Sequence, residues 1–256
     1  DHRDLHSFPT RRSSDLIQPK SKCPAPIRLC CCATYLYVSN TLGRHRFKPE
    51  IKAGDLLKEM DRNHIDIAVV HSYAESMDNR SVFQAVANHP QRFIGLYTVN
   101  PWYEDSPAQF EKALAEDGFK GLYMDPVRHG YMLCEREVFY PLLDLCRKYQ
   151  VPVWCYGAAE VFSNPVFFEK IAEDYPDVNI IMGRMGLQYD NASAVAVGKR
   201  HKNVYLETSS SMDFNTLRAM KTAGIDQVLL GTGTPDAGYY ELELVKVRKA
   251  AANFPE

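Results

Sequence analysis

Eight short apolar runs, each followed by a stretch with helical spacing, constrain this chain more than any other feature. The clearest is Asn179–Gly186, N-I-I-M-G-R-M-G. Ile180, Ile181 and Met182 leave no polar face, which predicts a strand buried on both sides, as in an all-parallel sheet. Pro176 ends the helical segment before it, and Gly183 to Gly186 turn the chain out after it. Arg184 is thereby set at the carboxyl end of a buried strand, the edge where parallel α/β folds gather their chemistry.

Further strands are predicted at Ile27–Ala33, Ile65–His71, Phe93–Val99, Phe119–Asp125, Pro152–Tyr156, Val204–Glu207 and Gln227–Gly231. Helices are predicted over Ile51–Asn63, Ser81–Asn88, Val138–Tyr149, Asn191–Lys199, Asp213–Ala223 and Tyr239–Ala251. Val82, Phe83 and Val86 should face inward on the second of these. Two more helices open at Ser106-Pro107, where Ser106 and Gln109 spell a capping box, and at Asn164-Pro165. Each crossover is long enough to join parallel strands, and 256 residues match the roughly 250 that a (β/α)8 barrel needs. An open doubly wound sheet would want a Gly-rich fingerprint in its first turn, and none is present. The pattern therefore predicts an α/β fold, a (β/α)8 TIM barrel, as a single domain over residues 17–256.

Composition narrows the partners. A 45% hydrophobic and 24% charged chain is ordinary for a soluble globular protein. A formal charge of −2 gives no basic stripe for nucleic acid. No run approaches the roughly 18–20 apolar residues that would cross a bilayer. Seven cysteines without a framework point to a reduced, cytoplasmic protein. The first sixteen residues are a different matter. His6–Leu16, H-S-F-P-T-R-R-S-S-D-L, reads like the conceptual translation of a sequencing adapter, so residues 1–16 are expected to be a non-native, disordered leader.

Several phrases carry a resemblance. They are L-L-K-E-M-D-R-N-H-I-D-I-A-V-V (Leu56–Val70), H-P-Q-R-F-I-G-L-Y-T-V-N-P-W (His89–Trp102), G-F-K-G-L-Y-M-D-P (Gly118–Pro126) and N-V-Y-L-E-T-S (Asn203–Ser209), with P-V-W-C-Y-G, I-I-M-G-R-M-G and V-L-L-G-T-G-T-P. In this order they resemble the amidohydrolase-related family, TIM-barrel metal-dependent hydrolases and decarboxylases, over about Ile51 to Pro235. The family's closing G-N-A-like phrase is missing and strand 1 is indistinct, so the barrel is expected to be incomplete at both ends.

The resemblance implies a zinc or manganese site, with H-x-H after strand 1, His at strands 5 and 6, and Asp at strand 8. Here those positions align with Cys32 and Thr34, Tyr156, Arg184 and Gly233, and the usual strand 4 histidine aligns with Asp125. Arginine is a permanent cation and cannot ligate a metal. Tyrosine ligates only as a phenolate, which is costly near neutral pH. The expectation is no metal ligand and no cofactor.

Two readings follow. In one, the mouth is an active site acting on a small carboxylated molecule as a hydrolase or lyase. Arg184 then clamps a carboxylate and steadies an oxyanion, Asp125 and Glu207 balance it, and Tyr156 or His129 moves protons. The resemblance includes a metal-free branch, the pyrone-dicarboxylate lactonases. In the other, Arg184–Asp125 is a buried ion pair in a degenerate pocket of a binding or structural protein. Candidate substrate contacts are His71, Arg128, Glu160, Glu207, Thr232 and Trp102, each with a plainer reading as a rim, loop or core residue. Gly231-Thr232-Gly233-Thr234 lies where TIM barrels often take phosphate, and reads equally as a short Gly-rich turn. Cys30, Cys31 and Cys32 read as packing thiols, and His45, His64, His89 and His201 as solvated. Family relatives commonly dimerise, which leaves a homodimer open.

Overall fold

The computed structural model describes the backbone of residues 30–35 and the whole of residues 51–157, 161–235 and 240–254. The expected leader, the start of the first strand at Ile27, and His45 lie outside them. Among the described residues, eight strands run in parallel and in chain order: β1 (Cys30–Tyr35), β2 (Ala68–His71), β3 (Phe93–Gly95, resumed as Tyr97–Thr98), β4 (Leu122–Met124), β5 (Val153–Tyr156), β6 (Ile180–Gly183), β7 (Val204–Glu207) and β8 (Val228–Leu229). The β3 backbone changes partner at Leu96, whose N–H donates to Val70, while Tyr97 N–H donates to Gly121. The ladder thereby continues from β2 through to β8.

Period-two alternation sorts the strand residues into two cores. Val70, Leu122, Met124, Val153, Cys155, Met182 and Leu206 pack outward against the helices. Val69, Leu96, Tyr123, Trp154, Ile181 and Leu229 form a separate cluster. These six come from β2, β3, β4, β5, β6 and β8. An inner apolar cluster on one face of an in-order parallel ladder, with helices packed on the other, is the arrangement of a (β/α)8 barrel.

The helices are α1 (Ala53–Arg62), α2 (Asn79–Asn88), α3 (Ser106–Ala115), α4 (Pro126–His129), α5 (Arg136–Tyr149), α6 (Pro165–Asp174), α7 (Asn191–Arg200), α8 (Asp213–Thr222) and α9 (Tyr240–Ala251). Phe110, Phe139 and Phe168 are fully buried and anchor α3, α5 and α6, each burial stabilising by roughly 1.5–3 kcal/mol. Two local expectations fail. Phe83 is exposed, because Val82 and Ala85 set the inner face of α2 and the next residue along turns about 100° away. The capping box does not form: Asp105 is the cap residue, Ser106 Oγ donates to Asn100 O at 2.6 Å, and Gln109 reaches Asp105 instead. The short α4 was not anticipated.

One inward step beyond the apolar cluster, strands β2 to β8 place a different kind of residue: His71, Thr98, Asp125, Tyr156, Gly183, Glu207 and Gly231. Apolar floor gives way to polar mouth at the carboxyl ends. Two glycines make this layer possible. A Cβ on Gly183 would meet the Trp154 indole, and one on Gly231 would overlap the Glu207 carboxylate. Gly231→Ala is therefore expected to destabilise the fold by about 1–3 kcal/mol in urea unfolding, as overpacking does. Gly54→Ala, with nothing within 4 Å of its Cβ, is expected to be neutral or to stabilise α1 by up to about 1 kcal/mol.

Candidate active site at the barrel mouth

Arg184 follows β6 with φ 63, a left-handed conformation that a side chain normally avoids. Its compensation is local: the Arg184 N–H donates to Glu207 Oε2 at 2.8 Å. Glu207 ends β7 and is only 2% exposed. Its carboxylate also accepts Ser209 N at 2.6 Å and Ser209 Oγ at 2.8 Å. Burial nevertheless raises the Glu207 pKa, outweighing the bonds from Arg184 and Ser209 and the Arg184 charge that pull it down. The guanidinium carbon of Arg184 lies 5.0 Å from the centroid of the Tyr156 ring, a cation–π contact across the ends of β5 and β6.

His71 forms the floor beside them. Its ring stacks on Tyr123 at 3.5 Å between centroids and lies 6.5 Å from Trp154. Nδ1 is 2.8 Å from Ser72 O, and since a carbonyl only accepts, Nδ1 carries the proton. Burial, aided by the Arg184 cation and opposed by the Ser72 bond, brings its pKa down to about 3. His71 is thus a neutral imidazole of fixed tautomer, its Nε2 the lone-pair nitrogen.

The β4 side is built differently. Asp125, also buried, caps α4 by accepting Arg128 N at 3.1 Å. Arg128 Nε lies 3.4 Å from Asp125 and 3.3 Å from Glu75, and its guanidinium covers Tyr73 at 4.5 Å. Burial raises the Asp125 pKa against the pull of Arg128. The expected partnership of Asp125 with Arg184 is corrected here: capping α4 turns the carboxylate toward Arg128, three residues on. His129 Nε2 meets Ala74 O at 3.0 Å, and the half-exposed Trp102 donates its indole N–H to His129 O at 2.7 Å, tying the loops after β2, β3 and β4 together. Thr232 is buried in the turn after β8, where its hydroxyl accepts Thr234 N at 3.4 Å. Glu160 lies outside the described residues.

The fold therefore gathers Arg184, Tyr156, Glu207 and His71 into one group, and Asp125, Arg128, His129 and Trp102 into a neighbouring one. Sequence reading missed Ser209, Tyr123 and the Glu243–Lys246 pair of α9. Only the last left a signal, two opposite charges at i,i+3 on an otherwise inward helical face.

The zinc or manganese that the resemblance implies does not fit the donors described. A phenol and a guanidinium stand at the strand 5 and strand 6 positions, and the guanidinium charge already acts on His71. Ser209 and Arg184 occupy Glu207, and Arg128 faces Asp125. The side chains of Cys32 and Thr34 are outside the described residues. Among the described residues, one trio of close ligand atoms occurs away from the mouth, Glu169, Glu173 and His201, and Arg200 holds Glu169 there at 2.6 and 2.9 Å.

A histidine depressed below its ordinary value stabilises the fold fully above pH 6.5, and that contribution is lost as pH falls toward about 3. His71→Phe, which keeps the stack on Tyr123, is expected to flatten the acid limb of the stability–pH curve. In the wild type, imidazole 15N shifts should report the Nδ1–H tautomer, uncharged down to pH 5.

Comparison with known proteins agrees with this architecture. No curated protein matches the chain. Among solved structures, 2,6-dihydroxybenzoate decarboxylase from Rhizobium superposes with a TM-score of 0.63 at 14% identity, over 88% of this chain and 97% of that one. A 5-carboxyvanillate decarboxylase from Novosphingobium aromaticivorans, with bound manganese, gives 0.58 at 20% identity over 77% and 74%. A probable 2-pyrone-4,6-dicarboxylic acid hydrolase from Acinetobacter baumannii, with citric acid bound, gives 0.62 at 11% identity over 89% and 92%. A family model described as amidohydrolase matches residues 43–242. The chain belongs to the amidohydrolase family.

Proposed function

We propose that this protein is a hydrolase or carboxy-lyase of a small carboxylated molecule, acting at the carboxyl-terminal mouth of the barrel without a metal. The observation that carries the reading is Arg184, a fixed cation at the end of β6 with its backbone held by Glu207 and its guanidinium over Tyr156. A guanidinium offers a planar fork that matches a carboxylate and can stabilise an oxyanion as charge develops. Asp125, whose burial raises its pKa against the pull of Arg128, is placed to take or give a proton. His71 accepts a hydrogen bond from the substrate through Nε2, and Tyr156 or His129 completes proton movement. Glu207 is a positioning residue, since its oxygens are engaged in holding Arg184 and Ser209. The metal-free branch that the resemblance includes, and the acids named for the structural neighbours, support a carboxylated substrate.

A second reading has its own observation. Both guanidiniums of the mouth already lie over tyrosine rings, and Arg128 is neutralised by two carboxylates. Such internal pairing suits a protein that binds a ligand or assembles without turnover.

The test is a panel of aromatic acids and cyclic diacid lactones on protein dialysed against a chelator and analysed for metal. Turnover should survive the dialysis. Arg184→Ala should lower it by roughly 10²–10³-fold, as loss of an oxyanion donor does, and Arg184→Lys should not restore it. Stoichiometric zinc or manganese whose removal abolishes turnover would sink the metal-free mechanism. Binding without turnover, lost in Arg184→Ala, would select the second reading.

A further inference from the structure

Helix α9 carries two charged side chains into the protein interior. Glu243 and Lys246 are 7% and 9% exposed, and they form an ion pair one turn apart. Lys246 Nζ also donates to Thr208 O at 2.6 Å and to Ser211 O at 3.0 Å. The other oxygen of Glu243 accepts Ser210 N at 3.3 Å. A single helix, from the βα unit after β8, thus grips the turn after β7 at three backbone points. Within that turn Ser209 gives both its N–H and its hydroxyl to Glu207, and Glu207 accepts the Arg184 N–H. Ser210, at the middle of the grip, is left-handed like Arg184.

We propose that Glu243 and Lys246 are positioning residues for Arg184, acting through Ser209 and Glu207. Resting on the reading of Arg184 as the anion-binding cation, this adds the support that fixes where its guanidinium is delivered. The physical reason is the weakness of each link alone. A residue at positive φ relaxes unless its surroundings over-determine it. One hydrogen bond from Arg184 to a carboxylate does that only if the carboxylate is itself immobile. Ser209 immobilises the carboxylate, and the turn that carries Ser209 has to be immobile in its turn. Two buried charges are an expensive way to pack a helix, since apolar residues of similar volume often serve as well or better. Here the ammonium reaches two carbonyls and a carboxylate that no aliphatic side chain could hold.

The test needs no substrate, so it fails or succeeds independently of the activity assay. In 15N-labelled full-length protein, amide hydrogen exchange is measured at Arg184 and Ser209, with Ile181 and Met182 of β6 as internal references. Lys246→Met should speed exchange at Arg184 and Ser209 by on the order of tenfold or more, the worth of a hydrogen bond to a charged group. Ile181 and Met182 should stay at wild-type rates. Glu243→Gln, close to isosteric and keeping an acceptor for Ser210, should produce a smaller change at the same two amides. It decides the matter by the same criterion should Lys246→Met not fold. Wild-type exchange at Arg184 in a folded variant would overturn the proposal. So would loss of protection spread evenly over β6, which would mark the pair as general support for the fold.

Discussion

The carboxylate of Glu207 is the interaction on which the mouth depends. It is buried, and its burial opposes the charge it carries, yet it lies where four features meet. It fills the space left by Gly231, takes the backbone of Arg184, and takes both donors of Ser209. Remove it and the left-handed residue after β6 loses the bond that offsets its strain, while Gly231 faces a hole. A buried carboxylate satisfied by several donors costs less than one left bare, but here desolvation still wins, since the pKa remains raised. The site keeps a charge in an unfavourable place because that charge holds a geometry.

A second charge arrangement repeats the first. After β6 a guanidinium lies over Tyr156, and a buried carboxylate, Glu207, accepts its own backbone N–H. After β4 a guanidinium lies over Tyr73, and a buried carboxylate, Asp125, accepts its backbone N–H. In both cases burial pushes the carboxylate toward its protonated form against the pull of the arginine. Around Arg128 a rim acid, Glu75, joins the pair, and beside Arg184 stands the neutral ring of His71.

Much of this fold was legible because its strands are buried on both faces. A run such as Ile180–Met182 has no alternative partner than a covered parallel sheet, and Val204–Glu207 was bounded to the residue. Strands with mixed edges were read too long, as at Phe119–Asp125 against Leu122–Met124, because aromatic and glycine residues extend the pattern beyond the ladder. Phe83 failed because propensity puts a large aromatic inside while the phase of Val82 and Ala85 decides otherwise. The mouth was legible only in part. Arg184, Tyr156 and Asp125 could be placed at strand ends by counting. That Lys246 would reach a turn belonging to another unit depends on a three-dimensional crossing that no local spacing encodes, whereas Asp125 facing Arg128 is a local cap that follows once α4 is recognised.

Under the proposed reading, a guanidinium standing in place of a metal ion would also limit what chemistry the mouth can carry out. A bound divalent metal polarises a carbonyl and lowers the pKa of its water from 15.7 to about 7, supplying hydroxide near neutral pH. Arginine can stand in for the first role, where one well-placed donor is worth about 3–4 kcal/mol at an oxyanion. It cannot do the second, because it neither binds water as a ligand nor withdraws enough charge from it. Under the proposed reading, hydrolysis then requires a carboxylate to act as general base on water, and the substrate has to be activated enough for that weaker nucleophile. Loss of carbon dioxide requires no water at all, only a proton delivered to carbon and an anion held while the bond breaks. Under the proposed reading Asp125 would deliver that proton and Arg184 would hold that anion, and strained or aromatic acids would then be better substrates than unactivated amides.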